Sequence, residues 1–171
     1  MKVLGIDPGT AACGYGIVQG SDGRLRAVVS GCWRTSAREP LDARLLTIFE
    51  GVRELFAAHE PDAVALEALY FGQNVATAFA VGQARGAILV AAGERGIPCS
   101  DYTPQQVKGA VCGSGRAPKD QVQRMVQTLL RLPEPPRPDH AADALAVAIC
   151  HANGAPLRAA VAAAPAIGGP A

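Results

Sequence analysis

The sequence lacks the features that mark membrane, disulfide-stapled and zinc proteins. Its apolar stretches are broken by Arg, Glu or Gly before they reach the roughly 18 residues of a membrane-spanning helix. The five cysteines are odd in number and scattered, with no Cys-x-x-Cys pair, so we expect reduced thiols and neither a zinc site nor a redox site. Met1 and Lys2 lead directly into the first predicted strand and leave no room for a signal peptide. We therefore expect a cytoplasmic protein without membrane contact.

The net charge is also close to zero, but the charged residues are unevenly distributed along the chain. The 171 residues carry a formal charge of +1, which by itself indicates no partner. Between Pro104 and Arg137, however, six basic residues face two acids, a local balance of +4, and the remaining chain carries −3. This asymmetry indicates a polyanion-binding surface beside an acidic site.

An apolar run, Val3 to Ile6, ends in Asp7 and is followed by the Pro8-Gly9 turn. A strand with no polar face is typical of the centre of a sheet that is covered on both sides. Asp7 then lies at the rim of the sheet, where a carboxylate must be paired, hydrogen-bonded or bound to a metal. The alternative is that Asp7 only caps the turn.

A second apolar run, Ala63 to Leu66, also ends in an acid, Glu67. A predicted helix connects it to the opening strands, so it should lie parallel to the first strand. The two carboxylates would then leave the same edge of the sheet about 5 Å apart.

The whole pattern predicts one α/β domain with a mixed central sheet of about five strands flanked by helices. We expect it to span residues 1–153, with residues 154–171 forming a disordered tail because they are rich in Ala, Pro and Gly. The predicted strands are 2–7, 14–19, 25–34, 63–67 and 97–102. Pro98 confines the last of them to a sheet edge or to the start of a strand. The predicted helices are 41–59, 75–95, 104–110, 119–130 and 139 to about 151.

The start of the last helix adds His140 and Asp143 to the acidic set. Two like charges about 5 Å apart repel unless a cation lies between them, and Mg²⁺ and Mn²⁺ prefer carboxylate oxygens. Packing of this helix on the sheet can bring Asp143, and either Asp139 or His140, to the rim. Asp139 and Asp143 would otherwise only favour the positive end of the helix.

Five motifs in order resemble the RuvC family of Holliday-junction resolvases over residues 1 to about 152. They are Gly5-Ile6-Asp7-Pro8-Gly9, Glu67 at a strand end, Gly82-Gln83-Ala84-Arg85-Gly86, Gln106-Val107-Lys108 and Asp143-Ala144-Leu145-Ala146. The resemblance implies an RNase H-like fold and a homodimer. It also implies paired symmetric nicking of four-way junction DNA in recombination and repair, giving 5′-phosphate ends, with the branch-migration proteins RuvA and RuvB as partners.

The resemblance assigns catalytic and metal-binding roles to Asp7, Glu67, Asp143 and the position of His140. Many relatives have an acid at the last position. Hydrolysis of a phosphodiester needs an activated water and charge relief on the leaving oxygen, which two metal ions supply, so we expect two Mg²⁺ or Mn²⁺ ions per site. A neutral imidazole is a poorer ligand for Mg²⁺ than for Mn²⁺, so Mn²⁺ should be favoured.

DNA contacts are expected from Lys108 and Lys119, which match DNA-binding positions of the family, and from Arg116 in the same basic segment. On sequence alone, a solvated charge on a helix is the more common role for each lysine. Tyr70 and Phe71 follow Glu67, where the family carries an aromatic that stacks on unpaired bases, and we favour Tyr70 for that contact. Aromatic residues after a strand are, however, more often part of the core.

Two other functions begin from the same residues. Actin-like and sugar-kinase ATPases also open with an apolar strand, an acid, Gly and Thr, but they bind nucleotide between two domains and this chain has room for one. A non-catalytic junction-binding protein would use the acids only for a structural ion, and the complete set of Asp7, Glu67 and Asp143 argues against it.

Overall fold

The computed structural model describes residues 1–21, 23–68 and 75–163. The strands are β1 (Lys2–Asp7), β2 (Ala12–Ser21), β3 (Arg24–Arg34), β4 (Ala63–Glu67) and β5 (Cys99–Tyr102). The helices are α1 (Leu41–His59), α2 (Val75–Arg95), α3 (Pro104–Cys112), α4 (Lys119–Leu130) and α5 (Asp139–Ala163).

The five strands form one mixed sheet in the order β3-β2-β1-β4-β5. The opening three strands pair antiparallel, whereas β4 lies parallel to both β1 and β5. The predicted central position of β1 and the parallel pairing of β1 with β4 are confirmed. β5 lies at the sheet edge, one of the two positions that Pro98 allowed. The helix bounds predicted for α1, α2 and α4 are those observed.

Successive side chains of a strand point to opposite faces of the sheet, and this alternation divides the core into two layers. On one face, Leu4, Ile6 and Leu66 pack with α1 and α2. On the other, Val3, Val18 and Ala65 pack with α3, α4 and α5. Asp7 and Glu67 continue the second series, so both carboxylates lie on the α5 side of the sheet.

The predicted bounds of five elements differ from the structure. The differences are small for three of them: β3 begins one residue earlier, at Arg24, β5 begins two residues later, at Cys99, and α3 ends two residues later, at Cys112. They are larger for the second strand and the last helix. The second strand begins at Ala12 and ends at Ser21, beyond the predicted residues 14–19, because it pairs with β3 along its whole length. Helix α5 does not end near His151 but continues to Ala163, into the segment predicted to be a tail. Residues 164–171 lie outside the described residues, and the division into a domain and a tail stays a prediction.

All five cysteines are free thiols, as predicted. Within the described ranges, none of the helices has the length and apolarity needed to cross a membrane.

Candidate active site

The two strand-end carboxylates meet at one edge of the sheet. Parallel pairing of β1 with β4 ends at Ile6 and Leu66, so Asp7 and Glu67 are the next residues on neighbouring strands. Their side chains share a hydrogen bond. Burial raises the pKa of Glu67 to about 8, with repulsion from Asp7 and Asp143 acting in the same direction and Lys108 opposing it. In the absence of a cation, Glu67 therefore holds a proton at neutral pH.

Helix α5 reaches this edge because three residues beneath it have no side chain. Gly5, Gly14 and Gly16 lie on the α5 face of β1 and β2. A Cβ at Gly5 would overlap the carbonyl oxygen of Ala144, and one at Gly14 would overlap that of His140. The helix backbone thus lies directly on the sheet backbone, which places the first turn of α5 above Asp7.

His140 and Asp143 are the residues of that first turn that face Asp7. The Nδ1–H of His140 donates a hydrogen bond to Asp7 Oδ2 at 2.7 Å. One ligand atom each from Asp7, His140 and Asp143 lies within 4.8 Å of the other two. Burial raises the pKa of Asp143, Lys119 lowers it, and Asp7 raises it further. Two carboxylates and an imidazole this close form a donor set for a divalent cation.

Asp139 lies outside this cluster. Its carboxylate accepts a hydrogen bond from Gln123 at 3.1 Å and pairs with Lys119 at 3.0 Å, and its side chain is 63% exposed. Lys119, through its hydrogen bond and charge, lowers the pKa of Asp139. Of the two candidates left open by the sequence, His140 is therefore the one that the fold brings to Asp7.

The basic residues predicted to bind DNA occupy different positions. Lys108 and Lys119 line a cavity of about 240 Å³ together with Glu67 and Asp143. Lys119 Nζ lies 3.7 Å from Asp143 Oδ2. Arg116 is exposed in the loop between α3 and α4. The cavity thus combines the acids of the site with two cations.

Tyr70 and Phe71 lie outside the described residues, so their predicted contact with unpaired bases stays a prediction.

Sequence reasoning missed two contributions to the site. Arg85 of α2 donates a hydrogen bond to the carbonyl oxygen of Glu67 at 3.1 Å. Its place in the Gly82–Gly86 motif was visible, but nothing in the motif indicated the distant strand end that it contacts. Gly14 was assigned to a strand without a role, although glycines at alternate positions of β2 are a signal for close helix packing.

Comparison with known proteins identifies the arrangement. A family model described as "Crossover junction endodeoxyribonuclease RuvC" matches residues 3–151. The chain belongs to the RuvC family.

RuvC of Moorella thermoacetica is 58% identical over 158 residues, which cover 92% of this chain and 95% of that relative. A solved Thermus thermophilus RuvC structure has a TM-score of 0.86 at 42% identity and covers 92% of this chain and 97% of its own. A second structure, T. thermophilus RuvC in complex with Holliday junction substrate, has a TM-score of 0.89 at 42% identity, with 92% and 96% covered.

These relatives confirm the predicted RNase H-like α/β fold and the family resemblance. They do not support the alternative of an actin-like or sugar-kinase ATPase domain. RuvC proteins depend on a divalent metal, and the cluster of Asp7, His140 and Asp143 has the chemistry for one.

Proposed function

We propose that this chain is a structure-specific endonuclease that resolves four-way (Holliday) DNA junctions by paired, symmetric, metal-dependent nicks in recombination and repair. The observation that carries the proposal is the meeting of Asp7, Glu67, His140 and Asp143 at one sheet edge, beside a cavity that also contains Lys108 and Lys119. The T. thermophilus relative solved with Holliday junction substrate supports the choice of DNA.

Asp7, Glu67, His140 and Asp143 would hold the metal, for which we propose two Mg²⁺ or Mn²⁺ ions with Mn²⁺ favoured. Bound there, divalent cations would supply an activated water and relieve charge on the leaving oxygen of the scissile phosphodiester. The cleaved strands would carry 5′-phosphate and 3′-hydroxyl ends. The crowding of Glu67 against Asp7 supports this role, since a cation removes the repulsion that raises the pKa of Glu67.

The chain's own residues bind and orient the substrate. Lys108 and Lys119 would attract DNA phosphates to the edge that the acids would otherwise repel, and exposed Arg116 would extend the same basic surface. The hydrogen bond from His140 fixes the orientation of the Asp7 carboxylate. Tyr70, and secondarily Phe71, would stabilise bases unstacked at the crossover.

The test of the function is incubation with synthetic four-way DNA, linear duplex and single strands, each with Mg²⁺, Mn²⁺ or EDTA. We expect symmetric pairs of nicks in the four-way junction with either metal, none in EDTA, and little cutting of duplex. Asp7→Asn should bind the junction and fail to cut it. A wild-type protein that binds the junction without cutting under any metal would instead be a junction-binding protein.

We further propose a homodimer, because paired cuts in a two-fold junction require two sites related by that symmetry. Helix α2 supplies the candidate face. Phe79 is 68% and Val90 is 60% exposed, and Gly86 between them has open space beside it, so these residues form an apolar strip along one side of the helix. The sequence points to the same helix, because Gly82 and Gly86 lie four residues apart and this spacing permits close helix contact.

Light scattering should give twice the monomer mass, and Val90→Glu should shift the protein toward monomer and remove the pairing of the two nicks. Glu94→Gln, also on α2 but in an ion pair with Arg53, is the control and should leave the mass unchanged. A stable wild-type monomer that makes paired nicks would refute the dimer.

From family membership we also propose RuvA and RuvB as partners and a cytoplasmic location.

A further inference from the structure

The guanidinium of Arg85 links three elements at the edge of the sheet. From α2, its Nη1 donates to the carbonyl oxygen of Glu67 at 3.1 Å. Its Nη2 lies 2.8 Å and 3.0 Å from the two carboxylate oxygens of Asp101 on β5. The Arg85 side chain is only 11% exposed, whereas that of Asp101 is 55% exposed. An arginine held this way connects α2, β4 and β5 through hydrogen bonds and is not a mobile surface charge.

The bond to Glu67 lies where β1 no longer pairs with β4. The β1–β4 ladder ends at Ile6 and Leu66, one residue earlier. On the other side, pairing with β5 continues through Tyr102, whose carbonyl oxygen accepts from the N–H of Ala68 at 2.8 Å. The carbonyl of Glu67 belongs to the same peptide as that N–H and points away from β5, where Arg85 of α2 donates to it at 3.1 Å. The bond from Arg85 and the bond from Ala68 to Tyr102 thus hold this peptide from both sides, and the peptide directly follows the Cα that carries the Glu67 side chain.

The guanidinium of Arg85 contacts the main-chain carbonyl of Glu67, and the carboxylate that it pairs with is that of Asp101. The groups that shift the pKa of Glu67 are Asp7, Asp143 and Lys108, and Lys108 is the cation among them. The charge of Arg85 is matched by Asp101 instead. The two flanking residues on the inner face of α2, Ala84 and Ile88, are fully buried, so the helix gives the guanidinium a rigid base.

We propose that Arg85 is a positioning residue for Glu67: by holding the carbonyl at the end of β4, it keeps the Glu67 carboxylate beside Asp7 in the place where it binds metal. This inference rests on the proposed function of the site. A planar fork can satisfy a carbonyl and a carboxylate together, whereas the ammonium of a lysine is a point charge, so arginine is specifically required.

The first test measures metal binding without DNA, by titration calorimetry with Mn²⁺. We expect Arg85→Gln and Arg85→Lys to weaken Mn²⁺ binding about tenfold, the lower end of the range for residues that orient metal ligands. Asp101→Asn retains an oxygen acceptor and should have a smaller effect in the same direction. Arg53→Gln removes an arginine from an exposed ion pair with Glu94 and should bind Mn²⁺ as the wild type does.

The second test separates positioning from DNA contact. With saturating junction, the Arg85 variants should lose about tenfold in kcat at limiting Mn²⁺ and recover as Mn²⁺ is raised, with an unchanged KM and an unchanged salt dependence of junction binding. A raised KM with a reduced salt slope would make Arg85 a DNA contact and overturn the proposal.

Thermal unfolding completes the comparison. If Arg85→Lys and Asp101→Asn lower Tm yet bind Mn²⁺ normally, Arg85 only stabilises the fold and the proposal is wrong. The proposed function fails separately: a wild-type protein that binds Mn²⁺ but does not cut junctions would refute the nuclease while leaving the effect of Arg85 on metal binding measurable.

Discussion

Lys119 Nζ lies 3.7 Å from Asp143 Oδ2, so a residue expected to bind DNA also touches an acid expected to bind metal. The same ammonium is 3.0 Å from Asp139. Its hydrogen bond to Asp139 raises the pKa of Lys119, with the charge of Asp143 adding to the effect, so it stays protonated at all physiological pH values. A divalent cation at Asp143 would compete with this ammonium and leave it available to a phosphate.

Removing Lys119 should therefore have opposite effects on the two ligands. We expect Lys119→Ala to weaken junction binding and reduce its logarithmic salt slope by about one, because one fewer phosphate is neutralised. Mn²⁺ binding without DNA should become slightly tighter, because the ammonium no longer competes for Asp143. Lys108→Ala should give the same change in slope, and Arg53→Ala on the opposite face is the charge control. An unchanged salt slope in both lysine variants would exclude them from the DNA surface.

The position of His140 predicts metal selectivity. His140→Ala should lose most cutting, and His140→Asp should regain activity with Mg²⁺, since a carboxylate oxygen suits this ion better than an imidazole nitrogen. Asp139→Asn should lose little, because Asp139 contacts Lys119 and Gln123 outside the cluster. Titration of each variant with both metals measures these differences. Near-normal cutting by His140→Ala in both metals would return the role to Asp139.

The raised pKa of Glu67 predicts how stability depends on pH without metal. The folded pKa is about 8 against an ordinary value of 4.5, so the folded state binds the extra proton between these values. This contribution to stability is complete below pH 4.5 and is lost as pH rises through 8. In EDTA, Tm should therefore fall across this window, and Glu67→Gln should flatten the fall. Asp143 contributes in the same direction, because burial raises its pKa too.

Metal binding should then release the same proton. Near pH 7, calorimetry of Mn²⁺ binding in buffers of different ionisation enthalpy should report proton release that is reduced in Glu67→Gln. Equal proton release by both proteins would contradict the assignment.

The contact between α5 and the sheet predicts a strong effect of adding one methyl group. Gly14→Ala places a Cβ against the carbonyl oxygen of His140, so α5 must shift, at a cost of about 1–3 kcal/mol or more in the free energy of unfolding. Cutting should fall further than stability accounts for, since His140 moves away from Asp7. Gly109→Ala in α3 is the control: it meets open space and should stabilise the protein by about 0.5–1 kcal/mol. Denaturant unfolding and junction cutting measure both effects.

Strand-end carboxylates were predictable because apolar runs have a clear beginning and end in the sequence. To place the two acids together, the prediction needed only the rule that a crossover connection makes the strands Val3 to Asp7 and Ala63 to Glu67 parallel. The observed register brings both acids to one edge. The i, i+3, i+4 spacing of apolar residues, followed by Pro61, likewise predicted the bounds of α1. These features depend on neighbouring residues in the chain.

Contacts between distant elements were not predictable in this way. The pairs Lys119–Asp139 and Arg85–Glu67 depend on how helices lie against the sheet, which periodicity does not specify. The choice between Asp139 and His140 is of the same kind: one residue of difference on a helix is a rotation of about 100°, and only the packing of α5 decides which side chain turns toward Asp7.

Contact between bare backbones, as between α5 and Gly5 and Gly14, has no rotamer with which to absorb a change. Any displacement has to be taken up by the helix as a whole. His140 and Asp143 lie about one turn apart on this helix, so they would move together relative to Asp7. The distance between them would stay the same, while both of their distances to Asp7 would change. Substitutions elsewhere in the core that shift α5 can thus change the affinity of the site for a cation while all of its residues stay in place.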